Sequence, residues 1–218
     1  MMTPIQDEWR RRVVAEYRSA AHTHTVTGWL IEIGASPDLI EDGLRIVADE
    51  LAHAELSGQV LASAGGTVQQ VVDRATLRMV RSDPLELGVV RAAVEMFCLG
   101  ETVAVPLFRR MLKSATQPVA VHALRRIVAD EARHRRFGWD LLDWCNEGPL
   151  RPLVRQVLQT ELPRMVERVE QAYGRGTSRD VPELWRTWGL IAPAEYATDL
   201  RTTERVWWSR RFARMHTG

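Results

Sequence analysis

The chain has 218 residues, 45% apolar and 26% charged, which excludes a disordered segment, a collagen or a coiled-coil rod and leaves room for a sizeable core. Lys plus Arg number 29 against 28 for Asp plus Glu, a net charge of +1 that gives no overall pull toward a polyanion. Two cysteines, Cys98 and Cys145, in no C-x-x-C pair exclude a zinc ribbon, a rubredoxin-type module and a disulfide scaffold. Residues 1–12 are polar and Arg-rich, unlike a secretory signal, and no apolar run approaches the roughly 18 residues of a membrane span. A cytoplasmic location with no membrane partner is the expectation.

Strand signals are nearly absent, whereas helix punctuation recurs along the chain. Thr3-Pro4, with Gln6 completing a capping box, predicts a first helix running to Ile33 and stopping at Gly34. Ser36-Pro37 opens a second helix that ends near Gly65-Gly66. Asp83-Pro84, with Glu86 three residues after Asp83, opens a third reaching Ser114. Thr116 and Pro118 open a fourth that ends at Asn146–Pro149. Two further helical stretches, Leu150–Tyr173 and Pro193–Met215, flank a Gly/Thr/Ser/Pro-containing link. Four helices of about 27–30 residues, each roughly 40–45 Å long, suggest a bundle. The short linkers 34–36 and 114–117 force two antiparallel hairpins, and residues 66–83 are long enough to return along the bundle.

Two copies of D-E-x-x-H stand out: Asp49-Glu50-Leu51-Ala52-His53 on the second helix and Asp130-Glu131-Ala132-Arg133-His134 on the fourth. Positions i and i+3 share a helix face, so each copy offers one carboxylate and one imidazole to a common ion. In an antiparallel hairpin, residues stand level when their mean position falls at the turn. Glu16 and Glu50 average to 33, beside Gly34, and Glu101 and Glu131 average to 116, beside Thr116. Each hairpin thus sets a lone glutamate level with one E-x-x-H, whereas Glu8 finds no partner at its height and Glu32 sits at the turn. Four carboxylates in a core need counter-charge, and two divalent cations supply it. Oxygen and nitrogen donors without thiolate favour iron or manganese over a structural zinc. Asp49 and Asp130 are expected behind the ligands, accepting the imidazole N–H that faces away from the metal, with Arg133 as a candidate partner for one of them.

These paired E…D-E-x-x-H halves, the second spaced as E-x28-D-E-x-R-H, resemble the ferritin-like superfamily of non-haem di-iron carboxylate proteins over residues 5–145. The resemblance implies an all-α, ferritin-like four-helix bundle of two antiparallel hairpins joined by a long crossover, over residues 1–148, with residues 149–218 as a helical C-terminal extension. It also implies two Fe ions (Mn/Fe being compatible) held by Glu16, Glu50, His53, Glu101, Glu131 and His134, with Glu50 and Glu131 as bridges. The implied activity is that of an oxidase or monooxygenase: O2, a small-molecule substrate and an external electron donor would be the partners, with no nucleic acid expected and a homodimer compatible. A ferroxidase or iron-handling protein, a rubrerythrin-like peroxidase, a tRNA-modifying hydroxylase and a metal-dependent scaffold are the alternatives.

The remaining residues have plainer expectations. Pro106 cannot donate to the Thr102 carbonyl, so the third helix should kink beside the metals. Ala20, Thr23 and Thr27 either leave room for a ligand or serve close helix packing. The tryptophans at 139, 144, 185, 188, 207 and 208 should fasten the last helices. His22, His24 and His122 are not read as ligands, Tyr17 points away from Glu16, and Cys98 is read as a buried, inert thiol.

Overall fold

The computed structural model describes residues 2–67, 72–173 and 180–216. Among them every regular element is helical, and no helix is long and apolar enough to cross a membrane. The helices are α1 (Pro4–Glu32), α2 (Pro37–Ser63), α3 (85–114), α4 (Pro118–Glu147), α5 (Arg151–Thr160), α6 (Leu162–Tyr173), α7 (Glu183–Thr187) and α8 (193–216). A short 3-10 turn, Arg74–Leu77, lies between α2 and α3. The chain divides into two compact units: Met1–Val80 with Phe108–Asp130 and Val181–Ile191, and Arg81–Leu107 with Glu131–Asp180 and Ala192–Gly218.

The first unit is built on the α1–α2 hairpin. Thr3 caps α1 through the expected box: its hydroxyl accepts from the Gln6 amide at 3.3 Å and its own amide donates to Gln6 Oε1 at 2.9 Å. Helix α1 ends at Ile33, where Gly34 takes φ +70°, a left-handed geometry that costs glycine least. Gly65 at φ +78° closes α2 in the same way. Gln6 Nε2 donates to the Ala64 carbonyl at 2.9 Å, and a Cβ placed on Gly43 would stand 2.5 Å from Thr27 Oγ1. Both pairs average to residue 35, so the register read from the turn holds from one end of the hairpin to the other. The Gly43 approach also shows that buried Thr27 serves close packing against α2. His22 Nε2 lies 2.8 Å from the Thr76 carbonyl, so the connection after α2 returns along the middle of α1. Fully buried Trp9 donates its indole N–H to the Trp188 carbonyl at 3.1 Å, tying the 181–191 segment to the hairpin. Burying each such side chain contributes about 1.5–3 kcal/mol.

The second unit is organised by α3 and α4. Phe97 meets Phe137 edge-on with centroids 5.0 Å apart, and the Cys98 thiol donates to the Gly138 carbonyl at 3.2 Å. Their mean positions near 117 again describe an antiparallel pair. Gly138 permits the approach, because a Cβ there would lie 2.6 Å from Phe97 Cβ and 2.8 Å from its backbone carbon. Arg91 on α3 holds Glu161 through paired 2.8 Å bonds, and Arg168 Nη2 on α6 reaches Glu95 at 2.8 Å. Trp139 packs on Phe212 at 5.2 Å with Arg211 over its ring, and Trp208 is buried, so these two aromatics do fasten the last helix. Trp207 is 41% exposed and is instead covered by Arg135.

Four element expectations need correction. The third helix is α-helical at Leu85–Ala92 and Thr102–Ser114 but π-helical at Ala93–Glu101. Pro106 can serve neither the Thr102 carbonyl of an α turn nor the Glu101 carbonyl of a π turn, and the change of winding falls at those two residues. Pro84, not Asp83, is the N-cap of α3; its ψ of 161° leaves Asp83 outside the first turn with no capping bond. The 150–173 stretch breaks at Glu161, where Pro163 withholds a donor from the Gln159 carbonyl, and gives α5 and α6. The link before residue 193 holds the short helix α7, its residues 174–179 lying outside the described residues, and α8 contains a second π segment, Glu204–Trp208.

Candidate metal centre

Within the first unit, α1 supplies Glu16 and α2 supplies Glu50 and His53; their relative exposures are 7%, 1% and 0%. One ligand atom from each lies within 4.8 Å of the other two, as the hairpin register requires. His53 Nδ1 stands 3.6 Å from Glu50 Oε2, beyond hydrogen-bond distance. Two donors held about 2.1 Å from one cation and roughly 90–120° apart lie roughly 3.0–3.6 Å from each other. The pair therefore sits at the spacing of two ligands rather than of donor and acceptor. Ser19, one turn after Glu16, donates its hydroxyl to Glu50 Oε1 at 3.0 Å and fixes the other carboxylate oxygen.

Behind His53 the polar layer continues. Its Nε2 is 3.1 Å from Asp130 Oδ2, so Asp130 stands behind an imidazole as expected, and the aspartate before the second motif backs the histidine of the first. Asp130 in turn accepts from Arg126 Nε, and Arg126 Nη2 donates to Asp49 Oδ1 at 3.2 Å. Arg126 is not among the residues the motif singles out. Its position four residues before Asp130 puts it on the same face, and that spacing is the signal by which it could be found. The bond to Asp130 holds the guanidinium still further above its ordinary value.

Within the second unit, Glu101 closes the π segment of α3 while Glu131 and His134 come from α4. Their ligand atoms also lie within 4.8 Å of one another, with His134 Nδ1 3.8 Å from Glu131 Oε2. Glu131 and His134 are buried, and Glu101 is partly exposed. Beside Glu101, the Thr102 hydroxyl accepts the Trp139 indole N–H at 3.1 Å.

Two carboxylates brought this close in a buried setting repel, and a divalent cation reverses the sign. Each triad offers hard oxygen and nitrogen donors and no sulfur, a set that fits iron or manganese. Both thiols are occupied with packing. Burial pushes Cys98 well above the ordinary thiol value and Cys145 up to about 12. Tyr17 is 41% exposed, His24 and His122 are exposed, and none of them joins a triad. A groove of about 490 Å³ on the α1–α2 hairpin, lined by Tyr17, Leu51, Ala54, Glu55, Gly58, Gln59 and Ala62, includes no ligand candidate.

No family model, curated protein or solved structure matches the chain. The chemistry of the site is therefore the ground for its assignment.

Proposed function

We propose that the two triads hold one dinuclear iron centre and that the protein is an O2-dependent oxidase or monooxygenase of an organic substrate, with residues 1–148 forming the ferritin-like part and residues 149–218 a helical extension. The observation that carries this reading is the repeat: each triad is two glutamates and a histidine, drawn from two helices, with the same i, i+3 spacing. A covalent fact supports joining them. Asp130, which backs His53 of the first triad, is the chain neighbour of Glu131 in the second.

Glu16, Glu50 and His53 would hold one ion and Glu101, Glu131 and His134 the other, with Glu50 and Glu131 as the bridging carboxylates. When bound, two ferrous ions supply two electrons for O2 reduction, and an external donor restores them. The chain's residues do the rest. The carboxylates would fix the ion positions, with Ser19 orienting Glu50 and Asp130 orienting His53.

The test begins with apo-protein loaded anaerobically with two Fe(II) per chain and mixed with O2 in a stopped-flow spectrometer. A transient visible band decaying to a stable ferric product, at two irons per chain, is the expected result. Uptake of many irons per chain would instead mean iron storage, and no uptake would remove the metal reading. Glu101→Ala and His134→Ala should each lower the metal count from two to about one per chain, with the helical circular dichroism unchanged. Two metals retained in both variants would overturn the ligand assignment.

A further inference from the structure

We propose that the outer face of α2 is the two-fold interface of a homodimer: Leu44 of each copy seats among Glu55, Gly58, Gln59 and Ala62 of the other, with Leu51 on the axis.

Helix α2 carries a second seam besides the one it buries. Leu44, Ala48, Leu51, Glu55, Gln59 and Ala62 are all exposed and follow one another at spacings of 4, 3, 4, 4 and 3, the period of a face that packs on another helix. Only one of the six is charged, and Leu44 and Leu51 are 53% and 46% exposed. The groove of about 490 Å³ supplies the receiving half. Four of its lining residues, Glu55, Gly58, Gln59 and Ala62, stand at i, i+3, i+4 and i+7, the four-residue hole that takes one side chain from a facing helix. Counting then picks the side chain. Two antiparallel copies of one helix stand level where positions average to the axis. Leu44 and Gly58 average to 51, so seating Leu44 at Gly58 brings the other exposed leucine, Leu51, against its own copy. Knob and hole thus belong to one self-complementary patch, which a second copy fits. Residue 51 is also one residue from the middle of Pro37–Ser63, so the two helices overlap over nearly their whole length. The same axis sets Glu55 within two residues, about 3 Å, of the height of the other copy's Arg45, and does so twice. Arg45 is held at present by Glu41 at 3.2 Å and Asp42 at 3.9 Å, surface pairs on its own helix that bind it weakly. A helix of 27 residues is about 40 Å long and the hairpin face about 20 Å wide, so each copy would cover about 800 Å², the size of a stable interface.

The interface stands apart from the metal reading and is tested on the apo-protein. At micromolar concentration the native chain should sediment at twice its 24.8 kDa. Leu44→Asp should sediment as a monomer with its helical circular dichroism unchanged, since that side chain is half in solvent. Glu55→Arg and Arg45→Glu should each weaken the dimer at least about tenfold, and the two together should restore it. Leu51→Cys treated with a short bis-maleimide should give a linked dimer on a denaturing gel, while the buried native thiols give no link. Leu44→Cys should not link, because its two copies lie 14 residues, about 21 Å, apart along the helices. A native chain that sediments as a monomer, its groove empty or holding an apolar small molecule, would overturn the proposal. A dimer that survives Leu44→Asp, or one that Leu51→Cys fails to link, would place the contact elsewhere and overturn it equally.

Discussion

The two D-E-x-x-H motifs are alike in sequence, and the lone glutamates set against them stand on helices of different winding. In the first unit the lone glutamate, Glu16, rides a regular α-helix whose register comes from one turn at Gly34. Its histidine is backed by a carboxylate and an arginine, and its motif glutamate is held by a serine. In the second unit the lone glutamate, Glu101, is delivered by a π segment and is partly exposed. The same motif thus faces a regular α-helix in one unit and a π-wound segment in the other.

That contrast can be tested by breaking one half at a time. The largest loss should come from Gly138→Val, which puts atoms where Phe97 Cβ and backbone already stand and should cost about 3 kcal/mol in urea unfolding. Next, Thr102→Val strands the buried Trp139 N–H and should cost about 1–2 kcal/mol, with the indole fluorescence altered. The thiols give a chemical contrast, since both lie in the second unit. Cys98 and Cys145 should resist iodoacetamide at pH 8 in the native protein and both react in urea, as read by mass spectrometry. Burial raises both thiol values, so the reactive thiolate stays scarce until the pH passes the folded value, about 12 for Cys145. The smallest effect has the opposite sign: Gly28→Ala, in the regular α1 with nothing within 4 Å of the new Cβ, should add about 0.5–1 kcal/mol of stability. A comparable loss at Gly28 and Gly138 would erase the distinction between the halves.

Much of this is legible in the residues because the first two helices are ruled by local chemistry. Thr3, Gly34 and Gly65 mark the ends, and level positions are then a matter of counting. Counting also brings Glu101 level with Glu131, although the helix that carries Glu101 is not the regular one its composition suggests. A 3.6-residue period cannot reveal a π segment, since the extra residue shifts the phase without changing the composition. Arg126 stays hidden for another reason. Its two partners lie on different helices, and only the register of α2 against α4 makes one guanidinium reach both. The tryptophans tell less: Trp139 and Trp208 pack as expected, but Trp207 faces outward because successive positions on a helix point to different sides.

The π segment at Ala93–Glu101 has the geometry of an insertion absorbed inside a helix. An i→i+5 turn holds one residue more than an α turn does, so the residues before it are rotated by about 100° relative to those after it. Leu85–Ala92, which carries Arg91 toward Glu161, and Thr102–Ser114, which carries Thr102 toward Trp139, therefore answer to separate phases of one continuous rod. Losing a single residue from this stretch would straighten the winding and swing one set of contacts off its partners. Length, as much as identity, is under constraint here: a helix that looks uniform in sequence contains a joint whose setting is counted in whole residues.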